Sequence, residues 1–109
     1  MSLNCYSLIL GARNTPSKGR KFLKRDETLI RTLTAAHFPD GFTILSADGG
    51  WFDPAKKTFV EEESRQILVC AKNKAALRTW CGELGRALKQ KELLVVELGK
   101  AKTFRFKRT

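Results

Sequence analysis

The chain has 109 residues, 42% of them hydrophobic and 29% charged, and a net charge of +10. That length suits one core, the composition excludes a disordered chain, and the longest apolar runs, residues 67–71 and 93–96, are far too short to cross a bilayer. The excess of Lys and Arg points to an anionic partner (nucleic acid, an anionic membrane surface or an acidic protein), the plain alternative being a solvated basic surface.

Residues 5–11, CYSLILG, form an apolar run that ends on glycine and reads as a first strand. Residues 13–24 are polar and basic, with Pro16 and Gly19, and read as a loop. Asp26 is a suitable N-cap, and Leu29, Ile30, Leu33 and Ala36 recur at helical spacing, so a helix is expected over 26–37, stopped by Pro39 and Gly41. A second strand is expected over 42–47, with Asp48-Gly49-Gly50 as a turn or bulge before the chain resumes at Trp51 and Phe52. Pro54 marks a hairpin loop, and 58–72 is a long third strand with three acids near its start. Asn73 caps a second helix whose Leu77, Trp80, Cys81, Leu84 and Leu88 share one face. Gly82 and Gly85 each weaken that helix by about 1 kcal/mol relative to alanine and are expected to mark close packing on the sheet. Residues 92–98 form a fourth strand, with 103–106 as a candidate extension beyond Gly99.

The order β-α-β-β-α-β predicts an α+β, ferredoxin-like domain over 1–109, a four-stranded antiparallel sheet with both helices on one face. Strands reading Leu8-Ile9-Leu10, Ile67-Leu68-Val69-Cys70 and Leu93-Leu94-Val95-Val96 are apolar on both faces, whereas a half-exposed strand should alternate. The helices cover one face, so a second copy packed on the other, a homodimer, is the simplest expectation.

The charge is segregated. Residues 13–31 hold seven Lys or Arg against Asp26 and Glu27, residues 100–109 hold five and no acid, and residues 40–63 hold six acids against Lys56 and Lys57. The anion-binding candidates are therefore Arg13, Lys18, Arg20, Lys21, Lys24 and Arg25 with Lys100, Lys102 and Arg105, and the same segregation suits self-association. Cys5, Cys70 and Cys81 are odd in number and form no C-x-x-C pair, so neither a disulfide framework nor a zinc site is expected. A reducing, cytoplasmic setting is the default; no signal peptide is visible, although the Met1-Ser2-Leu3 start reads equally as a cloning remnant and leaves a removed leader open.

No catalytic set stands out. His37 is the sole histidine and sits where a helix ends, which suits a cap. Neither G-x-x-x-x-G-K-[ST] nor G-x-G-x-x-G is present, and the acids match no metal spacing, so no cofactor and no metal is expected. Against RNA-binding domains of this topology, the first strand offers only Tyr6 and the third offers Phe59 far from its centre, which removes motif support from that reading.

Residues 38–69, FPDGFTILSADGGWFDPAKKTFVEEESRQILV, resemble a bacterial family of small proteins catalogued only as a domain of unknown function, with the pattern F-P-D-G-[LF]-T-[VI]-L-x-x-x-G-x-W followed by an acidic or polar residue, Ser and an apolar strand. Phe38, Pro39, Asp40, Gly41, Thr43, Leu45, Gly49, Trp51, Glu63 and Ser64 match it; the lysine content and the basic loop depart from it, as does the absence of a leader. The resemblance supports the fold and carries no activity. It draws attention to Asp40, Trp51, Glu63 and Ser64, which a hairpin of the second and third strands could gather. With Tyr6 and His37 they are the ligand or interface candidates. The leading expectation is a non-enzymatic dimeric module that binds a partner or small ligand through the sheet face or hairpin. The alternatives are an enzyme like the dimeric ferredoxin-like monooxygenases, with a pocket between sheet and helices, and a nucleic-acid binder using the basic segments.

Overall fold

The computed structural model describes residues 3–12 and 21–106; the expected loop at 13–20, with Arg13, Lys18 and Arg20, and the basic end at 107–109 lie outside the described residues. The elements are β1 (Leu3–Gly11), α1 (Lys24–His37), β2 (Thr43–Asp53), β3 (Thr58–Ala71), α2 (Lys74–Ala87) and β4 (Leu94–Ala101). They give the expected β-α-β-β-α-β order and one antiparallel sheet with strand order β2-β3-β1-β4.

Alternation along β1 sends Tyr6, Leu8 and Leu10 to the helices, where they join Ile67 and Val69 of β3 in the core. The apolar stripe of α2 lands there too: Leu77, Trp80 and Leu84 are buried, with Leu88 just past the helix end. Trp80 is the centre of the layer. Its indole Nε1 donates to Thr34 Oγ1 at 3.1 Å, Thr34 Oγ1 donates to Ile30 O at 2.5 Å, and the Phe38 ring meets the indole edge-on at 5.2 Å. The Thr34 hydroxyl thus satisfies the one polar atom that a buried tryptophan brings. Asn73 caps α2 as expected, its side chain accepting from Ala75 N at 3.0 Å.

Several local expectations are corrected. α1 starts at Lys24 with Leu23 as N-cap; Asp26 stands at the third helical position and reaches back, accepting from Leu23 N at 2.8 Å, so it acts from inside the helix. Asp48-Gly49-Gly50 makes no bulge: β2 pairs with β3 in unbroken register from Thr43↔Leu68 to Asp53↔Thr58. The glycines serve close approach instead, since a Cβ on Gly50 would lie 2.9 Å from Val60 O and one on Gly49 would strike Ser64 Oγ. The bulge is elsewhere, between Cys5 and Tyr6 opposite Glu97 and Gly99, where Gly99 takes φ +105°. β4 ends at Ala101, and residues 103–106 do not extend it. Gly82 and Gly85 face Arg86 and Gln90 of their own helix and its end, with Leu93 near Gly85, so they do not mark contact with the sheet.

The cysteine reading is also corrected. Cys5 and Cys70, 65 residues apart, stand opposite one another on β1 and β3 with Cα atoms 4.0 Å apart and form a disulfide, leaving Cys81 free. Spacing rules look for local pairs, and this pair exists only through the sheet register.

β3 is longer than its inner neighbour. Pairing with β1 begins at Ser64, so the six pairs from Asp48↔Glu63 to Asp53↔Thr58 form a two-stranded arm beyond the four-stranded sheet. The arm contributes to principal extents of 57 × 29 × 24 Å.

Candidate functional site

The sheet face away from the helices carries Cys5, Ser7 and Ile9 of β1, Ser64, Gln66, Leu68 and Cys70 of β3, Leu45 and Ala47 of β2, and Leu94 and Val96 of β4. The register places Leu68 and Val96 on either side of Ser7, and Gln66 and Leu94 on either side of Ile9, with Leu45 beyond Gln66. Ile9, Leu45, Leu68, Leu94 and Val96 are all exposed, Leu94 to 62%. Gln66 Nε2 donates to Ser7 Oγ at 2.9 Å, pairing the two polar side chains inside this band. The result is an apolar stripe across four strands, crossed at one end by the Cys5–Cys70 disulfide.

The interior between sheet and helices is filled: Leu8, Trp80, Leu84 and Leu88 have no exposed surface. Only the margins of that layer are open: a depression of about 50 Å³ lies between Glu27, Ile30 and Arg31 of α1 and Ile44, Ser46 and Arg65 of the sheet, and one of about 350 Å³ lies between α2, at Cys81, Gly82 and Gly85, and Leu93 and Val95. Open depressions lie at the two ends of the sheet. One, of about 290 Å³, is lined by His37, Phe38, Pro39, Asp40 and Gly41 with Cys70, Lys72 and Asn73. Gly41 N donates to Phe38 O at 3.2 Å and Gly41 takes φ +152°, the tight turn that the F-P-D-G sequence requires. His37 Nε2 meets Glu83 Oε2, tying the end of α1 to α2. The other depression, of about 410 Å³, is lined by Lys21, Asp48, Gly49, Glu61, Glu62 and Glu63.

The sequence candidates are therefore divided. Asp40 joins His37 beside Ala71, while Glu63 and Ser64 stand at the far end of the sheet and Trp51 pairs with Val60 on the arm. Along β3 the Asp40 end and the Trp51 end are eleven residues apart, roughly 35 Å, so the four motif residues do not form one site. Tyr6 is a core residue on the helix side. The basic candidates divide likewise. Lys21, Lys24 and Arg25 lie near the Gly11–Ser64 end, where Phe22 N donates to Glu63 Oε1 at 2.9 Å; Lys100, paired with Asn4, and Lys102 and Arg105, beyond the Leu3↔Ala101 pair, lie at the other end. The eight steps of β1 between them span about 26 Å, so the two segments do not meet in one patch. No group of three or more His, Cys, Asp or Glu among the described residues could hold a metal ion.

One ionic cluster had no signal in the sequence. Arg65 faces the helices and is buried; its Nη2 and Nε donate to Glu27 Oε1 at 2.6 and 3.1 Å, its Nη1 donates to Ser64 O at 3.0 Å, and it lies 4.7 Å from the Phe22 ring centre. This clamps the start of α1 onto β3. Cys81, half-buried on α2, has its thiol pKa pushed up by burial, which lowers its thiolate fraction.

Residues 8–93 match the profile of a family described as "Protein of unknown function (DUF3574)". No curated protein matches the chain. Among solved structures, a phage SAM lyase in complex with S-methyl-5'-thioadenosine is similar at TM-score 0.59 and 14% identity, over 91% of this chain and 87% of that one. The periplasmic divalent cation tolerance protein CutA from Archaeoglobus fulgidus is similar at TM-score 0.62 and 5% identity, over 94% and 88%. A Bacillus cereus protein related to NIF3 is similar at TM-score 0.60 and 6% identity, over 94% of this chain and 26% of that one. At such identities the likeness is one of fold.

Proposed function

The chain belongs to the DUF3574 family, and from that premise we propose that it is a non-enzymatic, self-associating ferredoxin-like module whose open sheet face packs on a second copy. The observation that carries this is the stripe of Ile9, Leu45, Leu68, Leu94 and Val96 across all four strands, apolar where a water-facing strand should be polar. A second copy is the occupant that the area favours. Four strands about 4.8 Å apart and nine residues long present roughly 550 Å², so two copies bury about 1,100 Å², just above the threshold for a specific interface. The pairing is isologous, since the same stripe serves both partners.

The packed centre of the layer leaves only marginal, open depressions for an enzyme with a pocket between sheet and helices, and the separation of the two basic segments weighs against a nucleic-acid groove. The Cys5–Cys70 disulfide, a bond that persists in oxidising compartments, weighs against a cytoplasmic setting. No helix of the described residues is long and apolar enough to cross a membrane.

Sedimentation equilibrium tests the reading. The native chain is expected to dimerise, and Leu68→Asp, which puts an unpaired charge in the stripe without touching the core, is expected to give a folded monomer. A native chain that stays monomeric at about 100 µM, a concentration well above the Kd expected of a small specific interface, overturns it.

A further inference from the structure

The arm and the C-terminal segment pose the same problem from opposite ends of the molecule. Among the described residues the arm beyond Ser64 is a two-stranded ribbon, a form that is marginal in water without cover, and of its apolar side chains Val60 is buried. It nevertheless carries Phe52 and Phe59, packed edge-to-face at 5.3 Å on the helix side, and Phe59 is 81% exposed. The same ribbon bears Asp48, Asp53, Glu61, Glu62 and Glu63. The segment after β4 reads KTFRF over residues 102–106 and has left the sheet. Phe104 and Phe106 are 83% and 86% exposed and, two residues apart, share a face whenever the segment is extended. In that extended form Lys102 shares their face and Arg105 lies between them on the other, and the sequence continues Lys107-Arg108 with no acid from Lys100 onward. An exposed aromatic pair set among acids therefore matches an exposed aromatic pair set among bases.

The two cannot meet within one molecule. The tail leaves the sheet at Ala101, opposite Leu3; the arm begins at Ser64, opposite Gly11. Eight steps of β1 and five more of β3 place Phe59 about 43 Å along the strands from that point. The run from Ala101 to Phe106, five steps of at most about 3.6 Å, reaches only about 18 Å. The complementarity is thus available to a second copy alone.

We propose that the C-terminal segment 102–106 of one copy lies on the β2–β3 arm of another, Phe104 and Phe106 packing against Phe52 and Phe59 while Lys102, on the same face of the segment, meets the acids of the ribbon. This rests on the self-association proposed above and assigns its second contact. The open face alone supplies an interface near the lower size limit, and aromatic side chains that bury about 150–250 Å² each bring it into the ordinary range. Each copy offers one arm and one tail, so the contact closes when every copy gives and receives once.

Sedimentation equilibrium of the full chain, together with hydrogen–deuterium exchange of the arm, tests this. The Phe104→Ser/Phe106→Ser variant changes residues outside every helix and strand, so its circular dichroism is expected to be native. Its self-association is expected to weaken by about tenfold or more, as for aromatic anchors of an interface, and its arm amides to exchange faster than those of the native chain. Glu61→Lys should weaken assembly and Glu61→Lys/Lys102→Glu should restore it, which a merely structural effect of position 61 would not produce. Native-like assembly and unchanged arm exchange in Phe104→Ser/Phe106→Ser overturn the tail contact; if Leu68→Asp is then still monomeric, the sheet-face reading survives. A native chain that is monomeric throughout overturns both.

Discussion

Reduction of the Cys5–Cys70 bond is the sharpest perturbation available. The bond closes a loop of 65 residues that contains α1, β2 and most of β3. The chain-entropy relation gives about 4 kcal/mol of stabilisation for a loop of that length at 25 °C, and native disulfides deliver roughly 2–4 kcal/mol. For a domain of about 100 residues each kcal/mol moves the midpoint by about 4–8 °C, so dithiothreitol should lower Tm by about 10–20 °C. The Cys5→Ala/Cys70→Ala variant should melt near the reduced protein and should not respond to dithiothreitol. A thiol titration in denaturant should find Cys81 alone before reduction and all three cysteines after it. Three titratable thiols in the untreated protein, or a Tm indifferent to reductant, would refute the reasoning.

Three further outcomes follow from the core and its margins. Thr34→Val leaves the buried Trp80 N–H without an acceptor and should cost about 1–2 kcal/mol in urea unfolding, whereas Thr34→Ser, which keeps the hydroxyl, should cost less; equal losses would contradict the hydrogen bond. Glu27→Ala leaves the buried Arg65 cation with the more distant Glu63 carboxylate, at 3.8 Å, and should destabilise by about 2–3 kcal/mol, whereas Arg65→Met leaves a carboxylate that water still reaches and should cost about 1 kcal/mol; the opposite order would contradict the clamp. Cys81 should alkylate at pH 8 far more slowly in the folded chain than in denaturant, because burial raises its pKa and lowers its thiolate fraction; equal rates would show that the site is open.

The elements were legible in the sequence because each is announced locally. The stripe Leu77, Trp80, Leu84 fixes α2, Pro39 and Gly41 end α1, and the double apolar character of Leu8-Ile9-Leu10 and Ile67 to Cys70 foretells a sheet with an apolar open face. These signals depend on residues a few positions apart, whose periodicity is set by helix and strand geometry. What depends on the partner across the sheet was not legible. The Cys5–Cys70 bond, the Arg65–Glu27 clamp, and the glycines that let β2 approach β3 each join residues that only the register makes neighbours. The division of Asp40 from Glu63 and Trp51 is of the same kind: the sequence sets them within one motif, and a long β3 carries them to opposite ends. Local hydrophobic periodicity determined the order of the elements. Only closure of the sheet decided which chemistry met which, because contacts between residues 65 positions apart follow from strand order and register, neither of which any short stretch of sequence encodes.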